Sequence, residues 1–286
     1  MAEQIEYLAD GVYFHDFCVL VNDPNLFHRY DDIWRVRRQF PKMPLKDTVA
    51  PGFLTEGVIE RAYLESVAED GIFSVEYTFP NWLYRGETLT IPPSEDGSCW
   101  RGHVERDGKE VEVITAKVTP GGTLTIDDEV REAMLSHEET NKCVETDKGI
   151  LLRKRLDQYD LGNFYRLIQG WQDVVHPTFV AGFLTEPLGY ELMSNHGYSL
   201  VENPAMFKEK RFTIDMEALR ETYERLNDGV KVTYLISPKE SSARKTECEV
   251  MMTSDEGRPI AKGEVVVMPF KRAMQLLEIA ERRARR

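Results

Sequence analysis

Nowhere does this 286-residue sequence hold an apolar run near the ~20 residues that a membrane-spanning helix requires, so no membrane span is expected. Base is in short supply: 36 Lys and Arg stand against 49 Asp and Glu, a formal charge of -13. A field of that sign repels the phosphates of nucleic acid, which removes DNA and RNA from the expected partners. Cysteine is scarce as well. Cys18, Cys99, Cys143 and Cys248 lie far apart with no Cys-x-x-Cys among them, which argues against a zinc knuckle or a disulfide framework and for reduced, mostly buried thiols. No glycine pattern suits a dinucleotide or phosphate loop. Met1-Ala2-Glu3-Gln4 carries acid where a signal peptide carries base, and no apolar h-region follows. A cytoplasmic protein without metal or redox cofactor is the expectation.

What the sequence does contain is a pentapeptide twice over: Gly52-Phe53-Leu54-Thr55-Glu56 and Gly182-Phe183-Leu184-Thr185-Glu186. Val49-Ala50 stands before the first copy and Val180-Ala181 before the second. Each copy opens a helical pattern, with Leu54, Val58 and Ala62 four apart and Leu184, Leu188 and Leu192 likewise. The chain therefore reads as a duplication.

In chain order, Tyr7 to Val21 predicts a short strand and a turn or helix, and Asn22-Asp23-Pro24-Asn25-Leu26-Phe27-His28 a structured loop. The first pentapeptide helix is expected to run to about Glu69. Strand patterns follow at 73–79, 87–91, 100–104 and 111–118, with Asp107-Gly108 as a hairpin turn. The second half repeats the order. A strand is expected at 150–156, a loop or short helix at 160–170, the second helix from Gly182 to Asn195, and strands at 232–236, 246–252 and 260–268. A polar helix at 215–227 is extra, and an amphipathic helix from Phe270 closes the chain. One helix followed by an antiparallel meander implies an α+β fold in which each sheet wraps around its helix. The expected units are 1–120, a linker with a short helix at 121–149, and 150–286.

Asp23 and His28, five residues apart, with Val49-Ala50-Pro51-Gly52 downstream and Phe79-Pro80 leading to Arg85-Gly86-Glu87-Thr88-Leu89, resemble the signature of the MaoC-like hydratases and dehydratases of the hotdog superfamily. The resemblance spans nearly the whole chain and implies a double hotdog. It also implies interconversion of 2-enoyl and 3-hydroxyacyl thioesters, with coenzyme A or phosphopantetheine entering only as part of the substrate. Such chemistry needs a base for water, an acid for C2 and a donor to the thioester oxygen. The resemblance assigns Asp23 and His28 to water and proton transfer, Gly52 and Phe53 to the oxygen through their backbone amides, and Asn25 to loop support. Glycine at the helix start permits close approach. Singly, an aspartate before Pro-Asn is a turn residue and a lone histidine is more often structural.

The second half lacks the histidine, since Asp160-Leu161-Gly162-Asn163-Phe164-Tyr165 aligned on Asp23 to His28 ends on tyrosine. Phe212-Thr213-Ile214-Asp215 stands where the Gly-Glu-Thr turn is expected. One working site beside a degenerate half is the prediction. A second constellation is His176, just before the second helix, with Glu56 or Glu186 as its acid, similar to the arrangement in fatty-acid and polyketide dehydratases. The basic residues Arg35, Arg37 and Arg38 suit a phosphate partner, either the nucleotide of coenzyme A or an acyl carrier protein, or else are solvated charge. Alternative activities are a hotdog thioesterase, an enzyme adding another nucleophile to an enoyl thioester, and a non-catalytic acyl-thioester binding protein. The oligomer expected is a pseudo-dimeric monomer or a homodimer.

Overall fold

Phe53 through Glu60 are buried without interruption, so the first pentapeptide helix has no solvent face and must be enclosed on every side. In the computed structural model, which describes residues 4–29, 33–39, 47–67, 71–138, 140–170, 174–200, 202–270 and 272, a single sheet does the enclosing. The first half comprises β1 (Ile5–Leu8), α1 (Gly11–Leu20), α2 (Ile33–Gln39), the buried α3 (Gly52–Tyr63), β2 (Ile72–Thr78), β3 (Thr88–Ile91), β4 (Cys99–Arg106) and β5 (Lys109–Pro120). After α4 (Asp128–Ser136), the second half comprises β6 (Cys143–Thr146), β7 (Gly149–Leu156), α5 (Gln158–Leu167), α6 (Pro177–Ala181), α7 (Thr185–Asn195), β8 (Ala205–Asp215), α8 (Met216–Glu224), β9 (Val230–Ser241), β10 (Thr246–Ser254) and β11 (Pro259–Pro269).

The strands form one 11-stranded sheet in the order β1-β3-β4-β5-β2-β8-β11-β10-β9-β7-β6. Its seam is the antiparallel pair β2 and β8, in register with Val75 opposite Phe212 and Ile72 opposite Asp215. Each half thus contributes a meander to one side of the seam, and the central helices lie in its concavity among one continuous apolar core. Asp107 and Gly108 both take positive φ (53° and 69°), the backbone that a tight two-residue hairpin demands, and β4 pairs with β5 as the sequence predicts.

Several expectations need correction. The boundary at 149/150 falls inside the β6–β7 hairpin, where Thr146 pairs with Gly149, so 121–149 supplies a strand to the second half as well as α4. Phe212 to Asp215 does not stand at the position of the Gly-Glu-Thr turn. It is the end of β8, whose charged run Lys208-Glu209-Lys210-Arg211 hides its strand character in the sequence. The first helix ends at Tyr63 and tightens into a 3-10 turn at Leu64–Ser66, short of Glu69. Of the closing helix, residues 273–286 lie outside the described residues.

The second helical run starts at Pro177, so Gly182 lies inside it whereas Gly52 opens its own helix. The cause is a cap lent by the other half. His176 makes no side-chain cap, but Glu60 of α3 accepts from the Thr178 amide at 3.0 Å and from its hydroxyl at 2.6 Å. A carboxylate at a helix N-terminus satisfies orphan donors and the dipole together, so the run nucleates where Glu60 reaches it.

Candidate active site

Asp23 and His28 sit on the short segment after α1. Asn25 shapes it: its Oδ1 accepts from the Phe27 amide at 3.1 Å, capping a 3-10 turn over Leu26–His28, and its Nδ2 donates to the Ala205 carbonyl at 3.3 Å. Asp23 Oδ1 accepts from the Asn25 amide at 2.9 Å, which leaves Oδ2 facing His28 Nε2 across 3.8 Å. Both side chains are buried. His28 Nδ1 lies 2.7 Å from the Val49 carbonyl oxygen, so Nδ1 carries the hydrogen and Nε2 presents its lone pair to the carboxylate. Burial lowers the His28 pKa below its ordinary 6.5, while the Asp23 carboxylate pulls it back up.

The same segment brings His28 to Gly52. His28, Val49, Ala50, Gly52 and Thr55 line one pocket with Phe79, Trp82 and Phe207. Pro51 offers no side-chain cap, so the first amides of α3 are without an intrahelical partner at that pocket. Gly52 allows the approach, since a Cβ there would come within 3.3 Å of Phe207 and 3.5 Å of Lys210 Nζ. On the other side of Asn25, Ala205 and Phe207 lies a second, largely apolar pocket, walled by Asp23, Leu188, Gly189, Leu192, Tyr198 and Leu200. Asp23 faces that pocket and His28 the first, so the pair straddles the partition between them.

The second constellation is rearranged. Neither named acid meets His176: Glu186 pairs with Lys154 at 3.2 Å, and Glu56 lies 2.6 Å from Lys210. Glu60, one helical turn beyond Glu56, takes the place, with Oε2 at 3.2 Å from His176 Nδ1. Asp160 is no counterpart of Asp23. It closes a capping box with Asp157 at the start of α5, and the Tyr165 hydroxyl donates to the Val174 carbonyl at 2.9 Å. Arg35, Arg37 and Arg38 all lie on α2, seven to ten residues beyond His28, with Arg35 stacked 5.5 Å over Trp34. Glu60 and Lys210 are the residues that sequence reasoning missed. Lys210 shares the inward phase of Phe212 and Ile214 on β8, a phase masked by its charged neighbours, whereas Glu60 follows Glu56 by one turn on the buried run of α3 and was readable. Among the described residues no group of three or more His, Cys, Asp and Glu side chains is arranged to hold a metal, and no helix is long and apolar enough to cross a membrane.

No protein-family model and no curated protein matches this chain. Solved structures do. A MaoC-like dehydratase superposes with a TM-score of 0.53 at 13% identity, covering 94% of this chain and 98% of its own. The fold is a double hotdog. The dehydratase domain of RzxB from Pseudomonas fluorescens is similar at TM-score 0.54 and 10% identity, covering 78% of this chain and 86% of its own. A trans-acyltransferase polyketide synthase enoyl-isomerase is similar at 0.55 and 9%, covering 77% and 90%. At such identities the double hotdog is what these proteins share with this chain; the chemistry is argued from its own residues.

Proposed function

We propose that this double hotdog adds water to a 2-enoyl thioester, or removes it from a 3-hydroxyacyl thioester, at Asp23 and His28. The observation that carries the reading is the convergence of the Asp23–His28 pair and the uncapped amides at Gly52 and Phe53 on adjoining pockets. A water between the two side chains gives its proton to His28 Nε2 as its oxygen bonds to C3. The imidazolium so formed faces the Asp23 carboxylate, which favours it electrostatically. Electron density passes to the thioester oxygen at the start of α3, where backbone donors stabilise it, and C2 then receives a proton from Nε2. Reversal of the same steps dehydrates. The acyl chain fits the apolar pocket of α7 and the strands beyond it, which gives the second half a binding role without a histidine of its own. Arg35, Arg37 and Arg38 on α2 are the cations we assign to a phosphate of coenzyme A or to an acidic carrier protein.

The test is a mass-spectrometric assay of the purified protein with enoyl and 3-hydroxyacyl thioesters, beside Asp23→Asn and His28→Ala. A mass change of one water, abolished in both variants, is expected. Release of free thiol instead would make the protein a thioesterase, and thioesters that bind unchanged would make it a binding protein.

A second reading puts the acid–base work at His176 with Glu60, on the strength of their 3.2 Å contact across the two halves. Glu60 also holds Thr178 through its amide and hydroxyl, which suits a structural cap better. A His176→Ala protein that folds but has lost hydration, beside an active His28→Ala, would transfer the chemistry there.

A further inference from the structure

Lys210 is a fully buried cation that the chemistry proposed at Asp23 and His28 leaves unused. Its ammonium lies 2.6 Å from Glu56 Oε1 and 3.1, 3.9 and 5.5 Å from the ring centres of Phe53, Phe207 and Phe79. Among the described residues, no hydrogen-bond partner beyond that ion pair reaches the ammonium or either Glu56 oxygen. Replacement of such a pair by apolar residues is often neutral or stabilising, so its presence in a core asks for a reason other than stability.

Position supplies one. The ammonium is 3.5 Å from the point where a Gly52 Cβ would stand, and Gly52, Phe79 and Phe207 line the pocket that holds His28. The positive end of α3 faces this recess, and the ammonium lies directly behind Gly52 in its wall. Both positive poles favour negative charge on an oxygen held at Gly52, and Glu56 offsets the ammonium from one side only. The phenylalanine rings accept the cation on their faces and keep water away, so its field on an oxygen in the recess is little screened.

We propose that Lys210 is an electrostatic residue of this site, its ammonium adding from behind Gly52 to the field of the α3 amides and stabilising the negative charge that develops on the thioester carbonyl oxygen. The inference rests on the acyl-thioester reading but not on the roles of Asp23 and His28. The charged and titratable groups around it are Glu56, with Glu60 one turn further on α3, and Asp23 and His28 on the segment after α1. Burial brings the Lys210 pKa down to about 8, with Glu56 and Asp23 opposing the fall, and raises Glu56 to about 7 against the pull of Lys210.

A 2,4-hexadienoyl thioester reports on this directly, because polarisation of its carbonyl shifts the dienoyl absorption to the red. The Asp23→Asn protein, in which turnover is stopped on the proposed mechanism, is expected to show the shift on binding. Lys210→Met in that background should abolish it and Lys210→Arg should restore part of it. The shift should also fade as pH rises through about 8, a titration that needs no change at Lys210 and decides the matter if Lys210→Met fails to fold. In otherwise wild-type protein, Lys210→Met should lower kcat by roughly 100-fold or more while KM changes little. Binding without a red shift overturns the role of Lys210 alone. Failure of any acyl thioester to bind overturns it together with the function on which it rests, whereas full hydration by Asp23→Asn overturns the Asp23–His28 mechanism and leaves the Lys210 titration to be read.

Discussion

His28 and Val49 are joined by a 2.7 Å contact between Nδ1 and the carbonyl oxygen, and this bond fixes which imidazole nitrogen can act as a base. A carbonyl only accepts, so the hydrogen stays on Nδ1 and Nε2 is left open toward Asp23. Val49 is itself held, its amide donating to the Phe27 carbonyl at 3.0 Å. Histidine orientation and the entry of the chain into α3 are therefore one structural unit.

Asp23→Asn is expected to lower kcat by about 10²- to 10⁴-fold, the range for a positioned acid–base group. Asparagine can still accept from the Asn25 amide, so thermal stability should shift by no more than about 1 kcal/mol. Paired rate and melting measurements check both halves of the claim, and a variant with wild-type kcat would remove Asp23 from the mechanism.

The acid limb of the pH–rate profile should lie below pH 6.5. Burial lowers the His28 pKa, so the neutral base persists as pH falls past the value of a free histidine. Stability carries the matching sign. The unfolded chain binds the proton more readily, so folding stability declines as pH falls through about 6.5. A kcat/KM profile that already falls above pH 6.5 contradicts the assignment.

Glu60→Ala should destabilise by roughly 3–5 kcal/mol, because it strips the Thr178 amide and hydroxyl and His176 of a shared buried partner. Glu60→Gln keeps one acceptor oxygen and should cost less. Chemical denaturation of the two variants measures the difference, and equal small losses would rule out the cross-half cap.

Gly57→Ala tests the crossing of α3 with the end of α5. A Cβ at that position would stand 2.9 Å from Ile168 Cγ2 and 3.0 Å from Phe164 Cζ, inside contact distance of two packed side chains. A loss of about 1–3 kcal/mol is expected from the overpacking, although alanine is the better helix former. An unchanged melting temperature would mean that the helices part at no cost.

Glu56→Leu combined with Lys210→Met should leave stability unchanged or raised by about 1–4 kcal/mol while activity is lost. Burial disfavours both charged forms in the folded chain, raising the carboxyl pKa and lowering that of the ammonium. A clear fall in melting temperature for the double variant, with activity retained, would make the pair structural.

Periodicity made the sheet and the two central helices legible, because alternation of apolar residues in 73–79 or 246–252 and fourfold spacing after Gly52 are set by backbone geometry alone. It failed at β8, where Lys208 to Arg211 masks a central strand. The masking has a physical cause: a bulge opposite Val266 and Val267 shifts the phase of Phe207 against Lys210, and Lys210 itself is buried against Glu56. It failed also at Pro177, since the cap that starts that run comes from Glu60, 118 residues away.

The sequence by itself determined a duplicated α+β chain, the loop that carries Asp23, Asn25 and His28, and the glycine that opens α3, since all of these rest on local turn chemistry and periodicity. Only the tertiary structure decided which acid reaches which base. Glu186 and Glu56 stand equally well in the sequence as partners for His176, yet each pairs with a lysine, and Glu60 takes the histidine. Such pairings depend on where two helices from different halves cross inside one sheet, and packing of the whole core sets that distance.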